Sequence, residues 1–279
     1  MKDGRLRGTV CAAASIAALG LWLAACGGLD SAGTFTPRTS GTLTVATAQI
    51  PDPGFWTGTP QHPTGGFEYE LAHALAQRLG LAKVKVVLVP FEQLVAGDLG
   101  GADLALSDIT LTKERGEHVS FSTPYLPAPP AILVRPGTQV ADVHAAQSLR
   151  WAVEKGTTLQ GALAEAIEPS TGTLVVHHER EALAALRAGR VDAVMLDLPV
   201  ALSYAHEAPS KYAVAAQLPS EAMLAAALPK GSENVEAVDS ALRALMADGT
   251  IERMGSRWLH TELNEGQAEQ VPVLRTGEE

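Results

Sequence analysis

Cysteine is almost absent: Cys11 and Cys26 are the only two in 279 residues. A disulfide framework is therefore excluded, the more so because Cys11 falls in a segment read below as removable. Basic residues are also scarce, with 21 Lys and Arg against 31 Asp and Glu and a formal net charge of −10. An acidic chain without a basic patch has no electrostatic footprint for nucleic acid. A membrane-spanning run is missing too: the uncharged stretch Thr9–Ala25 is Ala-rich and shorter than the roughly twenty apolar residues that cross a bilayer. What stabilises such a chain must be its core, and the 254 residues beyond position 25 are enough to build one.

The chain opens with Lys2, Arg5 and Arg7, continues through that apolar run and reaches Leu23-Ala24-Ala25-Cys26. This is the layout of a secretory signal, and its ending resembles a bacterial lipobox, in which small residues precede a cysteine that becomes acylated. The competing reading is an uncleaved anchor. The lipobox reading makes 1–25 a signal peptide and Cys26 the lipidation site, with two or more acyl chains giving stable attachment at the outer face of the membrane. Loss of the signal leaves 18 basic and 30 acidic groups. Residues 26–40, rich in Gly, Ser, Thr and Pro, read as a flexible tether, with folding expected from Gly41.

From Leu43 onward short β-rich runs alternate with Ala/Leu-rich helical runs, which predicts an α/β fold on largely parallel sheets. Strands are expected at 43–47, 84–89, 102–107, 131–134, 149–153, 173–176 and 191–196. Helices are expected at 67–79, 158–167, 179–188, 232–247 and 250–258. The tail beyond His260 is polar and reads as mobile.

One internal echo stands out. Ala102-Asp103-Leu104-Ala105-Leu106-Ser107-Asp108 matches Val191-Asp192-Ala193-Val194-Met195-Leu196-Asp197, with Asp at the start of an apolar strand and Asp again five places on. Each half thus presents a carboxylate just past the carboxyl end of a buried strand, the edge at which open α/β sheets bind ligands. Two such edges facing each other make a cleft between two lobes.

Six segments in order, Gly66-Phe67-Glu68-Tyr69-Glu70-Leu71, Ser107 to Arg115, Phe121-Ser122-Thr123-Pro124-Tyr125, Gly156-Thr157-Thr158, Val191 to Asp197 and Asp248-Gly249-Thr250-Ile251, resemble the polar amino-acid solute-binding proteins of ABC importers. The resemblance implies a two-lobed periplasmic-binding-protein fold with the ligand cleft between the lobes. Lobe 1 would comprise 41–128 and 223–260, lobe 2 would comprise 129–222, and 261–279 would be a tail. It implies that Arg115 grips the ligand α-carboxylate through two parallel charge-assisted hydrogen bonds. Thr110, Thr157 and Thr158 would assist, Thr158 from a helix start. Asp197 would hold the α-ammonium, aided by the carbonyl of Ser107, and Phe91, with Phe55 or Trp56, would supply an aromatic platform. Taken without that resemblance, Arg115 could be a surface ion pair, Asp197 and Thr158 helix caps, and each aromatic a core residue.

Two departures bear on the ligand: Asp108 stands where relatives usually carry Gly or Ser, and Glu154 occupies a side-chain contact position of lobe 2. If both face the cleft, an additional positive charge on the ligand is compensated there, which favours arginine, lysine or ornithine over a glutamine- or glutamate-type ligand. Alternatively Glu154 pairs with Lys155 and Asp108 caps the next turn. His177-His178-Glu179 is the one cluster suggestive of metal, and it lacks a third well-placed ligand; no metal, cofactor or catalytic group is expected. The partners implied are an amino acid and a membrane permease, with the receptor acting extracytoplasmically as a monomer. Competing classes are a dehydratase-like enzyme using Asp108 or Glu154 as general acid or base, and a sensor domain reporting to a membrane kinase.

Overall fold

The computed structural model describes Met1, residues 33–259 and residues 271–274. Cys26, the signal segment and most of the tail lie outside the described residues. All but Met1 of the described residues belong to one unit, 32–279. Among them, no helix is long and apolar enough to cross a membrane.

The chain first builds one sheet. It runs β1 (Thr42–Thr47), a hairpin of β2 (Thr57–Thr59) and β3 (His62–Gly65), α1 (Phe67–Arg78), β4 (Lys83–Leu88), α2 (Phe91–Val95), β5 (Leu104–Ala105), β6 (Val119–Phe121) and β7 (Leu126–Pro127). It then crosses to a second: β8 (Pro130–Val134), α3 (Val143–Gln147), β9 (Trp151–Glu154), α4 (Thr158–Ala162), β10 (Leu174–Val176), α5 (Glu179–Arg187), β11 (Ala193–Asp197), α6 (Leu198–Glu207) and β12 (Ala213–Gln217). It returns through β13 (Met223–Leu224) and β14 (Ala227–Pro229) and ends in α7 (Val235–Ala247) and α8 (Thr250–Trp258).

The two five-stranded sheets share one plan, with orders β4-β1-β5-β14-β6 and β10-β9-β11-β8-β12. In each, three strands are parallel and the next is antiparallel. The sheets are therefore mixed, not largely parallel. The reason is the crossing: β8 and β14 are the strands on which the chain arrives from the other lobe, and each enters its sheet against the parallel direction. Between the lobes the two crossings lie side by side as β7 and β13, paired antiparallel. Two short paired connections are the architecture of a hinge.

This plan explains the internal echo, because β5 and β11 are the third strand of each lobe. The first Asp of each repeat anchors its own lobe. Asp103 accepts the backbone N–H of Arg38 (2.7 Å) and of Thr44 (2.8 Å), and Asp192 binds Arg150 at 2.7 Å and Arg135 at 3.0 Å. The second Asp of each, Asp108 and Asp197, is left free to face the cleft.

Lobe 1 closes around α1, whose Leu71 and Leu75 are fully buried with Leu43 and Val45 of β1; α7 and α8 pack on α1. Gly66 starts that helix at φ 111, and a Cβ there would sit 2.1 Å from the carbonyl oxygen of Phe55, so only glycine fits. Lobe 2 is built on Trp151, Ile132, Val134, Met195 and Leu163. The expected helix 158–167 is present as α4 followed by a π-helical turn, Leu163–Ile167.

Both ends of the folded part extend further than the composition implies. Phe35 packs into the lobe 1 core, Thr36 donates to Asn234 Oδ1 (2.8 Å) and accepts from its Nδ2 (3.0 Å). Residues 33–40 are thus held to the body, because one aromatic and a few backbone pairs outweigh a polar composition. The tail also returns. Val273 bridges Gln217 in parallel at the outer edge of β12, Gln217 donates its backbone N–H to Pro272 O (2.9 Å), and Leu274 donates to Gln217 O (2.8 Å). Leu274 is buried in the lobe 2 core, so this end of the tail is docked instead of mobile. It pairs an otherwise open sheet edge. Replacing a buried Leu by Ala removes apolar contact and leaves a void, so Leu274→Ala is expected to lower stability by about 2 kcal/mol. Urea unfolding checks this; a loss under about 0.5 kcal/mol would mean that the tail does not dock in solution.

Candidate functional site

A cavity of about 460 Å³ lies between the carboxyl ends of the two sheets. Lobe 1 contributes the loop after β1, the start of α2 and the segment after β5. Lobe 2 contributes the ends of β9, β10 and β11 and the starts of α4 and α5. Brought together here are Ser107, Asp108, Thr110, Arg115, Phe91, Glu154, Thr157, Thr158 and Asp197. Phe55 and Trp56 are not: both are fully buried in the lobe 1 core, edge-on to Phe67 and Tyr69 respectively. The turn after β1 curls back, with Phe55 and Trp56 donating their N–H groups to Asp52 O, and this sends the two rings inward.

Arg115 is set by its own turn, where its N–H donates to Thr112 Oγ1 at 3.1 Å. Its guanidinium is 7% exposed at residue level, donates to Thr110 O (2.9 Å) and, across the cleft, to Gly156 O (3.2 Å), and stands 5.3 Å over the Phe91 ring. Among the described residues it makes no ion pair within 4.0 Å. Burial pulls its pKa down, and Asp197 and Asp108 push it back up. A second bond crosses the cleft from Thr158 Oγ1 to Thr110 Oγ1 at 3.4 Å, and on the rim Lys155 pairs with Glu92 at 3.2 Å. Lys155 is thus engaged with lobe 1 and not with Glu154.

The carboxylates are the distinctive feature. Asp197 stands at the N-cap position of α6 yet makes no capping hydrogen bond. Burial raises its pKa to about 7, Arg115 acting in the opposite direction. Asp108 has φ 52, an uncommon left-handed conformation for a residue with a side chain, which explains why small residues suit this position. The strained turn is held by Glu68, fully buried in α1, which accepts the N–H of Asp108 (2.9 Å), the indole N–H of Trp56 (2.9 Å) and the hydroxyl of Tyr125 (2.6 Å). Glu68 is the reason the Gly-Phe-Glu-Tyr segment belongs with the site although it does not line it.

Two further acids line the cavity, Asp52, which the sequence did not single out, and Glu179, which it offered only as part of a weak metal cluster. Asp52, from the loop after β1, is 5% exposed, and its Oδ1 has no hydrogen-bond partner. Glu179, the first residue of α5, is buried and accepts the hydroxyl of Tyr204 at 2.6 Å. Burial raises both Glu154 and Glu179 to about 7, and the charge of Glu179 adds to the rise at Glu154. Asp52 and Asp108 are held well above the ordinary carboxylate range, first by burial and then by their acidic neighbours. Six carboxyl groups therefore line one cavity with a single buried guanidinium, and one of them, Glu92 on the rim, is paired with Lys155. Asp52 was hidden because it follows the strand at an irregular distance, and the place of Glu179 in the site because it reads as an ordinary first-turn helix acid. Among the described residues no group of three or more His, Cys, Asp or Glu is arranged to hold a metal ion; His177 and His178 line the mouth of the cavity.

Comparison with known proteins agrees with this geometry. The L-cystine-binding protein TcyJ of Escherichia coli K12 is 27% identical over 205 residues, which cover 71% of this chain and 75% of that protein. A solved ancestral arginine-binding protein bound to arginine is 30% identical with a TM-score of 0.68, over 78% of this chain and 98% of that one. The L-cysteine solute receptor of Neisseria gonorrhoeae has a TM-score of 0.71 at 25% identity, over 82% and 95% of the two chains. The sequence profile of one family matches residues 43–261, nearly the whole of both lobes: the chain belongs to the bacterial extracellular solute-binding proteins, family 3.

Proposed function

We propose that this chain is the binding component of an ABC importer, held at the membrane by lipid on Cys26, and that it captures a cationic amino acid such as arginine, lysine or ornithine. The observation that carries this reading is the charge inventory of the cavity: beyond the rim pair of Glu92 and Lys155 it holds five carboxyl groups and one buried guanidinium. Arg115 accounts for one ligand carboxylate, bound bidentately. Asp197, with Asp108 beside it, accounts for the α-ammonium. The remaining acids call for more positive charge than a neutral amino acid carries, since buried carboxylates without a counter-charge are costly. A ligand supplying both signs stabilises the shut cleft over the open one, and the shut form is what a permease reads. Ancestral arginine-binding proteins similar to this chain were solved with arginine and with glutamine, so they fit this ligand class without singling it out.

Cystine is the second reading. It carries two ammonium and two carboxylate groups, relatives of this chain bind cystine and cysteine, and Arg180 at the cavity mouth is available to a second carboxylate. In either case the site works by clamping. Asp108 or Glu154 could serve an enzyme as acid or base, so unchanged ligand recovered after binding is part of the proposal, and turnover by the purified protein would contradict it.

Titration calorimetry with a panel of amino acids tests the ligand class. Arginine, lysine or ornithine is expected to bind at least tenfold tighter than glutamine or cystine; tight glutamate binding with no response to arginine contradicts it. Arg115→Ala is expected to weaken binding at least 100-fold with a thermal midpoint within a few degrees of the parent, since the guanidinium meets ligand and backbone carbonyls and not the apolar core. Cys26→Ala is expected to release the chain from the membrane fraction and lower uptake while leaving affinity within about twofold, because the tether acts through effective concentration at the permease. Equal membrane retention of parent and variant would refute the lipid anchor.

A further inference from the structure

The acids of the cavity come from both lobes: Asp52 and Asp108 line it from lobe 1, Glu179 and Asp197 from lobe 2. Asp108 of lobe 1 interacts unfavourably with Asp197 of lobe 2, and Arg115 stands beside both. Asp52 of lobe 1 likewise opposes Glu179 of lobe 2. This second pair has no such cation. Around it stand further acids: Glu68 from α1, Glu154 from the end of β9 and Asp108. Asp197 also bears on Glu179. The Tyr204 hydroxyl donates to Glu179 at 2.6 Å, Tyr212 packs edge-on behind Tyr204, and Arg187 donates to the Tyr212 hydroxyl at 2.9 Å. The positive or titratable groups on its own side, His177, His178 and Arg180, are exposed at the mouth. Asp52 meanwhile keeps a buried Oδ1 with no partner, on a residue only 5% exposed that lines the cavity.

We infer that Asp52 and Glu179 form the specificity site for the ligand's second cationic group, and that a bound proton takes that group's place when the ligand has none. This rests on reading the chain as a receptor for cationic amino acids. Two carboxylates facing each other in a dry site cannot both be ionised without a cation between them. An ammonium or guanidinium on the ligand side chain supplies one and keeps both acids charged. A neutral side chain does not, so the cleft shuts only after one acid takes up a proton. A proton is available near neutrality, since burial already holds Glu179 at about 7.

The two ligand classes therefore respond to pH with opposite sign. A dicationic ligand stabilises the ionised pair, lowers its pKa and expels protons on binding, so its affinity falls as pH falls through 7. A monocationic ligand requires a proton, so its affinity rises over the same range, by up to about tenfold per pH unit for one linked proton.

The experiment is titration calorimetry of the parent chain with L-lysine and with L-glutamine from pH 6 to pH 8, in buffers of different ionisation enthalpy so that linked protons are counted. Lysine is expected to release protons and glutamine to take them up, with the lysine-to-glutamine affinity ratio rising at least tenfold from pH 6 to pH 8. Glu179→Gln, which retains an oxygen for the Tyr204 hydroxyl, and Asp52→Asn are each expected to narrow that ratio at least tenfold at pH 8 and to flatten its pH dependence. Thermal midpoints verify that both variants fold. If lysine binds but both folded variants keep the parental ratio and proton count, the receptor reading stands and the inference falls. If lysine and arginine fail to bind the parent at any pH while glutamine or cystine binds, both fall together.

Discussion

Like charge facing like charge across a cleft is the constraint on which the rest of this molecule depends. Asp52 and Asp108 come from one lobe, Glu154, Glu179 and Asp197 from the other, and their pKa values are all raised, burial being the largest cause. Bringing these groups together costs free energy unless a cation joins them. Among the described residues the polar contacts across the cleft are one guanidinium to a carbonyl, one weak hydroxyl pair and an exposed ion pair on the rim, each worth little in isolation. Closure must then draw on charge brought in by the ligand, which is how a receptor avoids signalling while empty.

The scaffold exists to hold that arrangement. Repetition of one strand plan places a third strand, β5 or β11, at the centre of each lobe with an Asp just beyond its end. Because β8 and β14 arrive by crossing, the chain passes between the lobes twice, and the two passages pair as β7 and β13. Behind the site, neutral hydroxyls and an indole do the positioning: Tyr125 and Trp56 on Glu68, Tyr204 on Glu179. Such groups orient an acid without neutralising it; Glu68 thereby holds the Asp108 turn from behind, and Glu179 lines the cavity itself.

Much of the fold was legible because its signals are local. The 3.6-residue periodicity of α1 and the apolar runs of β1, β4 and β8 are local, and so is the Asp-to-Asp echo; they require only the residues themselves. The family followed from six ordered segments. What could not be read was set by long-range packing. Phe55 and Trp56 turn inward because of how the loop after β1 closes on Asp52. Phe35 and Leu274 dock because a lobe's core has room for them, and the mixed character of the sheets follows from crossings that no local window contains. Asp52 was missed for the same reason, and Glu179 was singled out only beside His177 and His178 as a weak metal cluster, since only the folded chain brings both acids to one cavity.

A crystal structure with L-lysine bound is the most direct measurement of the central claim, that ligand charge neutralises the cross-cleft carboxylates. The account predicts a shut cleft with the α-carboxylate on Arg115, the α-ammonium between Asp108 and Asp197, and the ε-ammonium within hydrogen-bonding distance of both Asp52 and Glu179. An ε-ammonium lodged elsewhere, with Asp52 and Glu179 bridged only by water, would contradict it.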